Sequence, residues 1–289
     1  MDAEGTPGKA RGERRRPWRT FARNRAAVVG LILAILVTIL SVAAPLVTSH
    51  DPVAQEARFR LQPPDQTHIL GRDTFGRDLF ARVLYAGRIS LLVGVCSVVL
   101  GGVIGSTLGL VAGYTGGKIE NVIMRFVDIL MAFPSLLLGL LVLAVLGPGL
   151  LKMILAIGIM LSPAFARVMH GSALSLKKRE FVEGARSVGA GPVRIVGLHI
   201  LPNVMGEVVV LSSLWTASAI RIEANLSFIG LGVSPPTPTW GNMIRDGTPH
   251  LLNAPWLSVF PGLAILVAVL AFNLLGDGLR DVLDPHLRE

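Results

Sequence analysis

Residues 181–203 read FVEGARSVGAGPVRIVGLHILPN, and they interrupt a chain otherwise dominated by long apolar runs. Phe181, Ala185 and Val188 recur at i, i+4 and i+7, whereas Lys178, Glu183 and Arg186 point elsewhere, so the spacing predicts an amphipathic helix of about three turns. Gly189 suits the left-handed residue that closes such a helix. Pro192 suits the first turn of a second helix, where its missing N–H costs nothing, and Pro202 is expected to end it. The stretch therefore reads as two short helices. Held at both ends by apolar segments, such a unit has neither the core nor the freedom of a DNA-binding helix-turn-helix. A helix with a small apolar face fits a groove on a partner protein instead.

The flanks decide where this unit sits. Of 289 residues, 52% are hydrophobic and only 16% charged, well below the roughly one-quarter charged fraction of a soluble domain. A hydrocarbon core of about 30 Å takes some twenty apolar residues to cross as a helix. Six runs qualify: 26–47, 89–113, 122–146, 151–170, 204–228 and 257–276. Lipid offers no partners to backbone N–H and C=O groups, so these spans are expected to be helical.

The net charge of +8 does not point to nucleic acid, because its placement follows the spans. Residues 1–25 carry eight Lys and Arg against three acids, the bias that keeps an N-terminus cytoplasmic. Six spans starting inside put the loop from Arg167 to Asn203 inside as well, and that loop holds six basic residues against two acids. Segment 48–88 then lies outside, with six Arg nearly balanced by five acids. Residues 26–47 exceed the about 7–15 apolar residues of a secretory leader core, so they are expected to be retained. The resulting organisation is a basic cytoplasmic segment 1–25, a first span 26–47, an extracytoplasmic segment 48–88, and a five-helix core 89–276. That core contains the cytoplasmic loop 171–203 and is followed by a cytoplasmic tail 277–289.

Within this frame several residues invite a functional reading. Gly101, Gly105, Gly109 and Gly113 form a small-residue stripe that lets a neighbouring helix approach closely. Pro134 and Pro163 are expected to bend the third and fourth spans. Arg125 and Asp128 are spaced to pair on one helix face. Arg221 and Glu223 lie near the outer end of the fifth span, on nearly opposite faces, and are candidates for the outer mouth of a solute path. Residues 74–88 read as an amphipathic surface helix. Residues 229–256, dense in Pro and Gly, read as an irregular cap. Cys96 is the single cysteine and no Cys/His metal spacing occurs, so neither an internal disulfide nor a metal site is expected.

The interrupting stretch resembles the EAA motif of ABC-importer permeases, a Glu-Ala-Ala-x3-Gly element followed nine residues later by Ile-x-Leu-Pro. Glu183, Ala185, Gly189, Leu201 and Pro202 match, while Gly184 stands at the middle alanine and His199 at the isoleucine. Three more blocks resemble the C-type permeases of dipeptide and oligopeptide importers: LGRDTFGRDLFARVLYAGRISL (70–91), IEANLSFIGLGVSPPTPTWGNMI (222–244) and PWLSVFPGLAILVAVLAFNLLGDGLRDVLDP (255–285). Arg72 and Ala81 depart from the Thr and Ser of the first block, and the likeness runs from about Arg19 to Pro285.

That resemblance implies an all-α membrane protein of the type I ABC-importer permease fold, with six transmembrane helices and a cytoplasmic coupling helix, in the cytoplasmic membrane. It implies a heterodimer with a homologous B-type permease, two ATP-binding domains beneath, and an extracytoplasmic peptide-binding protein above, with no nucleic acid partner. Phe181, Glu183, Gly184, Ala185, Gly189, Leu201 and Pro202 would form the joint with the ATPase. ATP and Mg would be bound by that partner, because YTGGKI (114–119) has Ala112 where a P-loop needs its first glycine and Ile119 where it needs Ser or Thr. Cargoes of the same branch include peptides, nickel complexes and glutathione-like compounds. An ion-coupled carrier would place binding groups near the bilayer midplane on repeated halves, and neither a repeat nor a midplane acid pair is present. A membrane enzyme would need a clustered nucleophile, base or metal-ligand set, which the sequence lacks.

Overall fold

The computed structural model of the chain describes residues 21–22 and 24–283; most of the basic N-terminal segment and the end of the C-terminal tail lie outside these. Helix α1 (Arg25–Val42) starts where the Asn24 side chain accepts from the Ala27 N–H. Helix α2 (Leu79–Thr115) starts on the side chain of Asp78, which accepts from the Ala81 N–H. After it come α3 (Gly117–Ala132), α4 (Ser135–Leu146) and α5 (Leu150–Leu176), then the short pair α6 (Glu180–Ser187) and α7 (Pro192–Ile195). A π turn, Val196–Ile200, leads into α8 (Leu201–Ile229), followed by α9 (Trp240–Gly247) and α10 (Trp256–Leu283).

Among the described residues, five helical segments are long and apolar enough to cross a membrane, and α3 with α4 makes a sixth crossing if the bent pair is taken as one. The bend is 97°, far more than the sequence leads one to expect of the 122–146 run. Pro134 supplies no N–H and drives Phe133 into an extended conformation, so the helix breaks rather than kinks. Pro163, by contrast, lies buried inside an uninterrupted α5. Pro202 opens α8 in its first turn instead of closing the helix before it.

The other departure is at the start of α2. Residues 79–88 do not lie on the surface as a separate helix; they continue straight into the second span as one element of 37 residues. At about 1.5 Å per residue this is roughly 55 Å, well beyond a hydrocarbon core. Nothing between Arg88 and Ile89 breaks a helix. Arg88 also has a reason to stay: its Nε donates to the Ser41 carbonyl at 2.7 Å and its guanidinium to that of Val42, near the end of α1. A cation is favoured where helix carbonyls are left without intrahelical donors.

α2 and α5 form the most extensive helix pair and run parallel. A Cβ on Gly101 would come within 2.7 Å of the Gly158 carbonyl oxygen, and Gly105, Gly109 and Gly113 meet the carbonyls of Ser162, Ala166 and His170 in turn. The constant register shows that the two backbones touch along the stripe. α1 and α10 are antiparallel, with Gly30 against Leu274 and Asn24 Nδ2 donating to Asp281 at 2.8 Å. The beginning of α1 and the end of α10 therefore lie on one side. Trp240, 2% exposed, is a keystone on the opposite side, packing with Leu79, Ala86 and Leu257 and donating through Nε1 to the Val83 carbonyl.

Candidate coupling surface and outer cap

The short helical pair between α5 and α8 is built from two faces. Val182 and Ala185 of α6 and Ile195 of α7 are buried against Leu110, Met169, Ala173, Ile200 and Val204. Glu180 and Glu183 lie in the first turn of α6 and Arg186 in its last, matching the helix dipole. Gly189 closes it at φ +83°, with the Ala190 N–H reaching the Ala185 carbonyl at 3.0 Å. A side chain at Gly189 would be strained by its backbone, whereas a Cβ on Gly184 would meet open space. Arg186 stacks over the Tyr114 ring at 5.3 Å and so ties α6 to the end of α2.

The predicted stripe of Phe181, Ala185 and Val188 is split by this arrangement. Ala185 faces the protein's own core, Val182 takes the place expected of Phe181, and Phe181 and Val188 are 43% and 85% exposed. Two apolar rows share the helix, and a short helix can turn only one inward. Val193 of α7 and Leu198 of the π turn are also exposed, at 89% and 64%. Glu183 is exposed, Leu201 packs at the edge of the inner cluster, and Pro202 is exposed at the start of α8. Val182 was hidden from sequence reasoning because it fits an i, i+3 pairing with Ala185 as well as Phe181 fits an i, i+4 one.

Charged pairs connect the helices above this surface. Asp128 pairs with Arg167 of α5 at 2.7 Å, not with Arg125 as its spacing suggested. His170 lies 2.7 Å from Glu120, and Lys177 donates to the Gly113 carbonyl at 2.8 Å.

On the opposite side, Arg221 is exposed but Glu223 has no exposed surface. Glu223 accepts from Ser90 of α2 at 2.8 Å and from Ser227 at 2.6 Å. It therefore joins α2 to α8 rather than lining an open mouth. Nothing in the sequence signals Ser90 as its partner, since 133 residues separate them. Thr239 and Asn242 cap α9 reciprocally.

The segment before α2 is held by a polar network. His68 Nδ1 lies 2.7 Å from Asp78 Oδ2, and Arg72 Nη2 lies 2.6 Å from His68 Nε2. The tautomer that satisfies both donates from Nδ1 and accepts at Nε2. His50, His68 and Asp78 bring potential ligand atoms within 4.8 Å of one another. A metal on His68 would have to displace either the carboxylate contact or the guanidinium, so the donor set is already spent internally. Arg72 also bonds Glu56 at 2.8 Å and holds that exposed carboxyl below its ordinary pKa.

Five apolar crossings among the described residues, six with the bent pair taken as one, a parallel glycine-packed pair and a two-helix insert on one face fit the permease of an importer, and the comparisons with known proteins agree. Residues 105–289 match the family described as binding-protein-dependent transport system inner membrane component, and residues 14–64 match the N-terminal transmembrane domain of oligopeptide transport permease C. The chain belongs to this family: it is a multi-pass permease subunit of an ABC importer in the inner membrane, without an ATPase function of its own. It is 42% identical over 277 residues, 94% of this chain and 91% of the relative, to the di/tripeptide transport system permease protein DppC of Pseudomonas aeruginosa. It is 41% identical over 94% of this chain and 91% of the relative to the dipeptide transport system permease protein DppC of Alkalihalophilus pseudofirmus. The glutathione transport system permease protein GsiD of Pectobacterium atrosepticum is 43% identical over 94% of this chain and 90% of its own length. Among solved structures, a chain of the inward-facing MetNI methionine ABC transporter shares the fold, with TM-score 0.58 and 19% identity over 70% of this chain and 96% of that one.

Proposed function

We propose that this permease is the C-type subunit of an importer of di- and oligopeptides, paired with a homologous B-type permease, driven by two ATP-binding domains that hold ATP and Mg, and supplied by an extracytoplasmic peptide-binding protein. The observation that carries the cargo is the near-full-length likeness to relatives named for di- and tripeptide transport. The glutathione relative, itself named for a modified tripeptide, supports glutathione as the second reading.

The mechanism rests on the exposed residues Phe181, Val188, Val193 and Leu198. Apolar side chains this exposed on an element whose other face is buried suit the groove of an ATPase domain. Val182, Ala185 and the Tyr114–Arg186 stack then carry displacement of that groove into α2, α5 and α8. Glu183, Gly184, Gly189, Leu201 and Pro202 shape the joint without filling the groove. In this reading the basic N-terminus and the loop 171–203 face the cytoplasm, and segment 48–78 with the 230–255 cap faces outward; the charge bias of residues 1–25 and of the loop supports it. Arg221 stays a candidate for the outer mouth; Glu223 is a structural tie beside it.

Reconstitution in proteoliposomes with the partner permease, ATPases and binding protein tests the cargo. Labelled dipeptide is expected to accumulate only with ATP, and glutathione to compete weakly. Accumulation of glutathione with no dipeptide uptake would overturn the peptide reading in favour of the second one.

A further inference from the structure

Between the segment before α2 and the Pro-rich cap lies a cavity of about 600 Å³, a size suited to a small ligand. Its wall combines Arg77, Arg82, Arg245 and His250 with one acid, Asp246, and the apolar surfaces of Phe75 and Pro235. The guanidinium charges are incompletely matched. Arg77 and Arg82 are both buried and both turn Nε toward a single carboxylate, Asp73, at 2.6 and 3.3 Å. Arg82 satisfies Nη1 on the Pro52 carbonyl at 2.9 Å, which is neutral. Among the described residues Arg245 meets only its sequence neighbour Asp246, at 3.1 Å, with both side chains about one-third exposed, a pairing worth little and readily exchanged. Three guanidinium groups thus share two carboxylates, and two of the three cations are removed from water. A buried cation in excess favours an incoming anion, and a planar guanidinium fork favours a carboxylate in particular.

We infer that this cavity is a receptor for the C-terminal carboxylate of a short peptide, outside the membrane and ahead of the translocation path. Arg245 is the residue that engages it, exchanging Asp246 for the ligand, while Arg77 and Arg82 hold the wall positive and Phe75 and Pro235 offer apolar surface to a side chain. The inference rests on the peptide-importer reading, but it assigns to the permease a contact with cargo that does not require the binding protein.

The test uses the purified permease–ATPase complex in nanodiscs without binding protein, titrated with alanyl-alanine and with its C-terminal amide. Alanyl-alanine is expected to bind, amidation to weaken it at least about tenfold, and Arg245→Gln to weaken it by a similar factor, as loss of a charge-assisted hydrogen bond requires. Arg245→Lys should restore part of the affinity, which a merely structural defect would not allow. Equal binding of acid and amide, unchanged binding in Arg245→Gln, or no binding of alanyl-alanine overturns the inference. So does the case in which the dipeptide fails to bind while Arg245→Gln weakens association of the binding protein, for the carboxylate would then be an acidic side chain of that protein. Dipeptide uptake by the fully supplied wild-type complex separates the two readings: uptake without binding here overturns this inference alone, and absence of uptake overturns the importer reading.

Discussion

Glu223 places a carboxylate between two spans with both oxygens engaged, one by Ser90 and the other by Ser227. Replacing it with Leu leaves two buried hydroxyls without their acceptor, at about 1–3 kcal/mol for each group stranded. Glu223→Leu is therefore expected to lower the melting temperature of the solubilised complex, and Glu223→Gln, which keeps an acceptor, to lower it less. Equal melting of both variants and the wild type would remove the tie between α2 and α8. Arg221, two residues away and exposed, belongs to a different test. Arg221→Leu is expected to reduce uptake at low substrate concentration with the complex intact, and normal uptake would make Arg221 a plain interfacial residue. Helical geometry alone puts residues 221 and 223 on different faces. It does not say which face meets Ser90.

At the scale of elements, α6 separates its folding face from the face proposed for coupling within a few residues. Val182 is fully buried and Val188 is 85% exposed. Val182→Asp would strand a charge in the inner cluster, where desolvation without a partner is costly, and is expected to abolish membrane abundance. Val188→Asp should leave abundance and pairing with the other permease intact while reducing ATPase co-purification at least about tenfold, as for truncation of an interface anchor. Wild-type ATPase binding by Val188→Asp would move the docking surface elsewhere. Ala185 cannot serve as this probe, because it packs in the same buried cluster as Val182. The α2–α5 pair makes a second element-level prediction. Gly101→Leu must separate two helices at a point where even a Cβ would sit 2.7 Å from the Gly158 carbonyl oxygen. Overpacking of this kind costs about 1–3 kcal/mol or more, read as lost abundance of the variant; unchanged abundance would mean the helices part freely.

Across the whole molecule, the direction of each helix follows from its contacts. The parallel run of α2 and α5, the antiparallel run of α1 and α10, and the position of Trp240 opposite the α6–α7 pair leave one face carrying the proposed coupling surface and the other carrying the cap. In a Cys96→Ser background, Gln55→Cys is expected to react with an impermeant thiol reagent added to intact cells, and Ser187→Cys only after permeabilisation. Reaction of Ser187→Cys in intact cells would invert the orientation.

Membrane residence, the helical class and the place of the two-helix insert were all legible in the chain itself. Each depends on periodicity, run length or charge bias, which are local quantities that twenty to thirty residues suffice to express. The glycine stripe was legible too, as a surface awaiting a neighbour. What the residues in line could not reveal were matters of partnership: that Asp128 chooses Arg167 over Arg125, that Val182 rather than Phe181 turns inward, that α2 runs on through Arg88, and that Ser90 holds Glu223. Those choices were made by the tertiary structure, because a buried polar group or apolar row goes to whichever complementary surface the packed helices bring within a few ångströms, at any separation along the chain.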